Sequence, residues 1–148
     1  MSNSIEVTAT IDNTPEAVLA YVADVRNRPY YLPSLKTVTD VKAAADNGPG
    51  TTWKWTWLSL GMEFSGTGEC LKYEPGKTYS FRTTGGLSSL WTYTATPVAA
   101  GGTNLHVKVE FDVPESARSR LPLPAVAEKL KKVEAERVVH NLKAILDR

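Results

Sequence analysis

A chain of 148 residues, 42 % of them hydrophobic, has the size of one domain, here taken as residues 1–148, and buries ~70 % of its unfolded surface without cross-links. Seventeen basic and sixteen acidic residues leave a formal net charge of +1 spread along the chain, which gives nucleic acid no electrostatic footprint. The single Cys70 excludes an internal disulfide, no stretch approaches the ~20 apolar residues of an integral membrane span, and MSNSIEVTAT lacks a secretion signal, so a cytoplasmic protein is expected.

IEVTATI alternates, with Ile5, Val7, Ala9 and Ile11 on one face, and predicts a first strand. Thr14 is placed as an N-cap before Pro15 and Glu16, so a short helix begins there, with Val18, Leu19, Val22 and Val25 as its apolar side. The prolines of RNRPYYLPSL then leave a second short helix or turn before Leu35. From residue 36 to 112 strands alternate with the turns DNGPG, EPGKT, TGG and AAGGT, which predicts an antiparallel meander with one solvated face. Its most conspicuous strand is WKWTW, where Trp53, Trp55 and Trp57 share a face. Each indole withdraws ~150 to 250 Å² from water, roughly 4 to 6 kcal/mol as an upper bound, so that face must be covered.

Helical spacing returns over roughly residues 122 to 147, with an apolar stripe of Leu123, Val126, Ala127, Leu130, Val133, Val138, Leu142 and Ile145. This helix has no partner of similar length and is expected to cover the tryptophan face. The basic run KLKK inside it, among Glu128, Glu134 and Glu136, reads as a solvated helix face. Counting at 100° per residue places Glu134, Arg137 and Asn141 near the centre of the buried stripe. If Leu71 and Tyr73 point inward, Glu69 does too, and Glu63 as well unless a bulge at the glycines reverses it. Inward Glu and Arg require pairing or water, so Arg137 is expected either to bridge Glu134 or Glu69 or to form, with them, a polar patch facing a ligand. Ser65, Gly66, Thr67 and Gly68 supply little bulk opposite the indoles, which predicts open space or a close approach to the backbone.

The order of elements, together with IDNTPEAVLAYVADVRNRPYYLPSL, CLKYEPGKTYSFR and GGTNLHVKVEFDVP, resembles the α+β helix-grip fold of the START/Bet v 1-like (SRPBCC) superfamily. Within it the chain is most similar to the bacterial polyketide cyclase/dehydrase and lipid-transport family. The resemblance spans nearly the whole chain; Tyr31 stands where many members have Trp. It implies a curved sheet wrapped around the carboxyl-terminal helix, with a cavity between them for a hydrophobic or amphipathic small molecule such as a lipid, polyketide or isoprenoid-like compound. By position it makes Trp53, Trp55, Trp57, Phe81, Trp91 and Tyr93 the cavity wall, with Tyr30 and Tyr31 near its mouth.

Chemistry is harder to assemble. Cys70 is predicted outward with no histidine beside it, His106 alternates onto the wet face, and His140 lies at the stripe's edge. No metal-ligand spacing and no phosphate-binding loop are present, so no metal and no cofactor are expected. A carrier or sequestering protein needs only the cavity. A cofactor-independent cyclase or dehydratase needs an acid or base in it, for which Glu69 and Glu134 are the candidates, with Arg137 and Tyr93 in support. A regulatory role would need an exposed apolar patch, for which RLPLPAV at 120–126 is the weak candidate. Neither the oligomeric state nor the ligand's identity is encoded in these patterns.

Overall fold

The computed structural model describes residues 3–59, 61–113 and 124–148, so Leu123 and most of the RLPLPAV segment lie outside the described residues. Seven strands form one antiparallel sheet: β1 (Asn3–Ile11), β2 (Leu35–Lys42), β3 (Thr52–Ser59), β4 (Met62–Glu74), β5 (Thr78–Gly85), β6 (Ser89–Pro97) and β7 (Thr103–Phe111). Their spatial order is β1-β7-β6-β5-β4-β3-β2, a meander closed by the return of the first strand beside the last. Alternation sorts the faces as expected: Ile5 pairs with Val109, Val7 with Val107 and Ala9 with Leu105, and the side chains of these pairs face the core.

Helix α1 (Pro15–Ala23) starts where predicted, with the Thr14 hydroxyl accepting from the Ala17 amide at 3.2 Å. A 3₁₀ helix, Val25–Tyr30, follows and is capped by Asp24, whose carboxylate accepts from the Arg26 amide at 3.1 Å. Helix α2 (Pro124–Leu146) lies on the inner face of the sheet, packed closest along β1. This is the helix-grip α+β arrangement that the sequence leads one to expect. No helix among the described residues is long and apolar enough to cross a membrane.

Two expectations fail, each for a local reason. Between the pairs Cys70–Phe81 and Lys72–Ser80, β4 carries one residue more than β5, so Leu71 is the extra residue of a bulge. Tyr73 still packs against the core, but upstream of the bulge the faces exchange: Cys70 is buried, while Leu71 and Glu69 turn to the outer face. Glu63 is outward as well and pairs with Lys36 at 3.4 Å. The second failure is part of the phase of α2. Ala127, Val138 and Leu142 of the expected stripe lie on the sheet, joined by Lys131, Ala135 and Val139, whereas Leu130 is 43 % exposed and Val126, Val133 and Ile145 are exposed with it. Small alanines let the helix backbone approach the sheet, which outweighs the larger apolar residues a quarter-turn away. Glu134 and Asn141 therefore sit at the edge of the covered face, and Arg137 is exposed.

The carboxyl-terminal end of α2 is firmly tied. Lys143 Nζ donates to the Thr10 carbonyl at 2.8 Å, Asn13 Nδ2 to the Leu146 carbonyl at 2.9 Å, and the Asp12 amide to Asp147 Oδ1 at 2.8 Å.

Candidate functional site

The inner face carries a continuous aromatic surface. Phe81 stacks on Trp91 at 5.9 Å with 9° between planes, Trp91 on Tyr93 at 6.3 Å, and Trp53 meets Phe81 edge-on at 5.6 Å. Between this surface and α2 is a small cavity of about 30 Å³, room for about two water molecules at ~10 to 15 Å³ each. Trp57, Leu87, Ser89 and Lys131 line both this cavity and a neighbouring groove of about 340 Å³ beneath the amino-terminal turns of α2. Phe64, Phe111, Leu130 and Val133 give the groove an apolar wall, and Ser34, Ser59, Ser88, Asp112, Glu134 and Arg137 give it a polar one. A hollow of comparable size, about 390 Å³, lies on the opposite face of the sheet. Its walls hold the exposed ion pairs Glu69–Arg82 and Asp40–Lys54, so it is a solvated surface depression.

Two cations, neither singled out by the sequence patterns, occupy the inner cavity wall. Arg28 is placed by the 3₁₀ helix: its carbonyl accepts from the amides of Tyr31 and Leu32, and Pro29 fixes the backbone after it. The side chain is 1 % exposed, with the guanidinium carbon 4.0 Å from the centre of Phe81 and 4.4 Å from that of Trp53. Nη2 donates to the Tyr79 hydroxyl, whereas Nε and Nη1 have no acceptor among the described residues. Burial acts to lower the guanidinium's pKa and the phenols of Tyr79, Tyr31 and Tyr93 act to raise it; the rise prevails and the group remains charged. Lys131, the exception within KLKK, sets its ammonium 4.8 Å from the centre of Trp57, 5.6 Å from that of Trp91 and 5.7 Å from that of Phe111. Burial lowers its pKa to about 8, opposed by the charge of Glu134. Part of the lysine remains in reach of solvent while its ammonium is enclosed.

The expected wall residues divide into groups. Trp53, Trp55, Trp57, Phe81 and Trp91 all line the cavity. Tyr93 is fully buried beside them, its hydroxyl without a partner among the described residues and its pKa pushed well above the usual phenol range by burial. Tyr31 is fully buried too, not at the mouth: its hydroxyl donates to the Val22 carbonyl at 3.2 Å, while neighbouring Tyr30 is 73 % exposed. Asn141 donates to the Tyr31 carbonyl at 3.2 Å and acts as a strut between α2 and the turn. Glu134 accepts from the Ser34 amide at 2.9 Å and the Ser34 hydroxyl at 3.1 Å. Glu69 pairs outward with Arg82 at 2.5 Å, with its side chain 43 % exposed, so the expected bridge from Arg137 to either glutamate is absent among the described residues. Cys70, expected outward, is buried, and burial raises its thiol's pKa. His106 pairs with Glu6 at 3.0 Å on the outer face, as its alternation requires.

The glycines of β4 leave no open space. Trp53 pairs with Gly68 and Trp55 with Gly66, and each indole lies over the glycine opposite it. Of the two alternatives the sequence allowed there, close approach is the one realised.

The profile of the family described as polyketide cyclase / dehydrase and lipid transport matches residues 2–147. Among curated protein sequences none matches significantly. Among solved structures, a Thermus thermophilus protein superposes with a TM-score of 0.80 at 18 % identity, covering 96 % of this chain and 95 % of the other. A START superfamily protein from Mycobacterium smegmatis gives 0.79 at 16 % identity, with 97 % and 96 % covered. The Zhui aromatase/cyclase from Streptomyces sp. R1128 gives 0.71 at 17 % identity, with 95 % and 93 % covered. At these identities the likeness concerns the fold.

Proposed function

Because the chain belongs to the polyketide cyclase / dehydrase and lipid transport family, we propose that it binds a hydrophobic or amphipathic small molecule between the sheet and α2, as a carrier or sequestering protein. The observation that carries this reading is the aromatic cavity beside a groove with an apolar and a polar wall, the form of a small-molecule site. Trp57 lines both spaces, so an occupant that spans them touches it. Native mass spectrometry of freshly purified protein should show a stoichiometric adduct, or an apo chain that takes up dodecanol or dodecanoate with a change in tryptophan emission. Trp57→Leu is expected to weaken that uptake about tenfold. Unchanged affinity in this variant, or no uptake of either probe, sinks the reading.

The alternative of cyclase or dehydratase turnover loses one of its two acids, since Glu69 faces away from the cleft. Glu134 remains at the groove's edge, held by Ser34. Glu69→Gln should leave probe affinity unchanged and cost less than about 0.5 kcal/mol in urea unfolding, as an exposed pair does. A loss of binding in that variant would return Glu69 to the site.

A further inference from the structure

Resting on the binding reading, we infer that the ligand is an apolar carboxylic acid whose carboxylate lies in the small cavity against Arg28 and Lys131, with its apolar body in the groove. The residues lining that cavity include two cations and, among the described residues, no aspartate or glutamate. An isolated buried charge is among the most costly features a fold can hold, and such charges are otherwise paired. Arg28 is not paired with a carboxylate among the described residues: the ionisable groups acting on it are phenols, and two of its donor nitrogens lack acceptors. The carboxylate that acts on Lys131 is that of Glu134, which offsets part of the ammonium's cost from the groove side while its oxygens also accept from the amide and hydroxyl of Ser34.

Aromatic faces around both cations offset part of the lost hydration, but they accept no conventional hydrogen bond from Nε or Nη1. A neutral hydroxyl or carbonyl supplies an acceptor but no charge to offset the two cations, and a cation would be repelled by both residues. A carboxylate supplies two acceptor oxygens and one negative charge in a head group of three heavy atoms, which suits the space of about 30 Å³. The groove that shares Trp57 and Lys131 with it is far larger, and its apolar wall of Phe64, Phe111, Leu130 and Val133 takes the rest of the molecule, while Asp112 and Glu134 lie on its polar side.

The test compares dodecanoate with dodecanol, each below its solubility limit, by calorimetry and tryptophan emission near neutral pH. The wild-type protein is expected to bind the acid at least about tenfold more tightly than the alcohol. Arg28→Met should remove most of the acid's advantage over the alcohol. Equal affinities in the wild type would overturn the charge assignment while leaving the binding reading intact; failure of both probes to bind would overturn the two together. A folded Arg28→Met variant that keeps the acid's advantage would remove Arg28 from the site. If that variant does not fold, the wild-type comparison decides alone.

Discussion

Replacing Gly66 with alanine is expected to lower the free energy of unfolding by about 3 kcal/mol or more, among the largest losses a single added methyl produces. A Cβ there would stand 2.0 Å from the Thr84 carbonyl oxygen and 2.6 Å from the Trp55 ring. The ring could tilt, but the carbonyl belongs to β5, and moving it breaks the ladder in which Gly66 pairs with Gly85. Gly85 itself has φ +103°, a conformation side chains rarely adopt, so the partner strand has little freedom to yield. Urea unfolding followed by tryptophan emission measures the loss directly. A variant within about 1 kcal/mol of the wild type would mean that the strands separate more easily than this register allows.

Lys131→Met is expected to do the opposite, stabilising the chain by about 2 kcal/mol near neutral pH. The lysine's folded pKa of about 8 lies below its ordinary 10.5. Below about pH 8 the amine is protonated in both states, and the folded state bears the full cost of enclosing the charge. Between about 8 and 10.5 the unfolded chain holds more protons than the folded one, so wild-type stability rises with pH across this window. The gap between variant and wild type should therefore narrow as pH rises towards the lysine's ordinary 10.5. The whole shift corresponds to roughly 3 kcal/mol, discounted here because part of the residue remains near solvent. Urea midpoints on either side of the window check both sign and trend. A variant destabilised at neutral pH, or a gap that widens with pH, would show that the ammonium is well solvated.

What was legible in the sequence followed from strong local patterns. Strand alternation, the four turns, the Thr14 cap and the shared face of Trp53, Trp55 and Trp57 each rest on a few neighbouring residues, and the structure reproduces them. The bulge at Leu71 has no such signature: nothing in GECLKYE distinguishes a regular strand from one with an extra residue, yet it exchanges Cys70 for Glu69 on the inner face. In α2, Ala127, Val138 and Leu142 are buried as their spacing implies, but Val126, Leu130, Val133 and Ile145 outweigh alanine in any count of apolar bulk, while close packing on the sheet favours Ala135 beside Ala127. Lys131 looks like its neighbours in KLKK; its 127, 131, 135, 138, 142 spacing with buried small and apolar residues was the available signal. Arg28 offered none, since a single 3₁₀ turn has no periodicity to set against solvent.

Among the described residues, the side-chain bonds that tie α2 down fall from Glu134 onward, to Ser34, Tyr31, Thr10, Asn13 and Asp12. In the preceding turns of α2, Ala127 and Lys131 are placed by packing on the sheet, Lys131 over the rings of Trp57, Trp91 and Phe111. Ala127, Leu130 and Val133 of those turns form the roof of the groove. The two halves of the helix are thus anchored by different forces: directional hydrogen bonds fix the carboxyl-terminal half, and less directional packing against apolar and aromatic surface sets the height of the groove's roof.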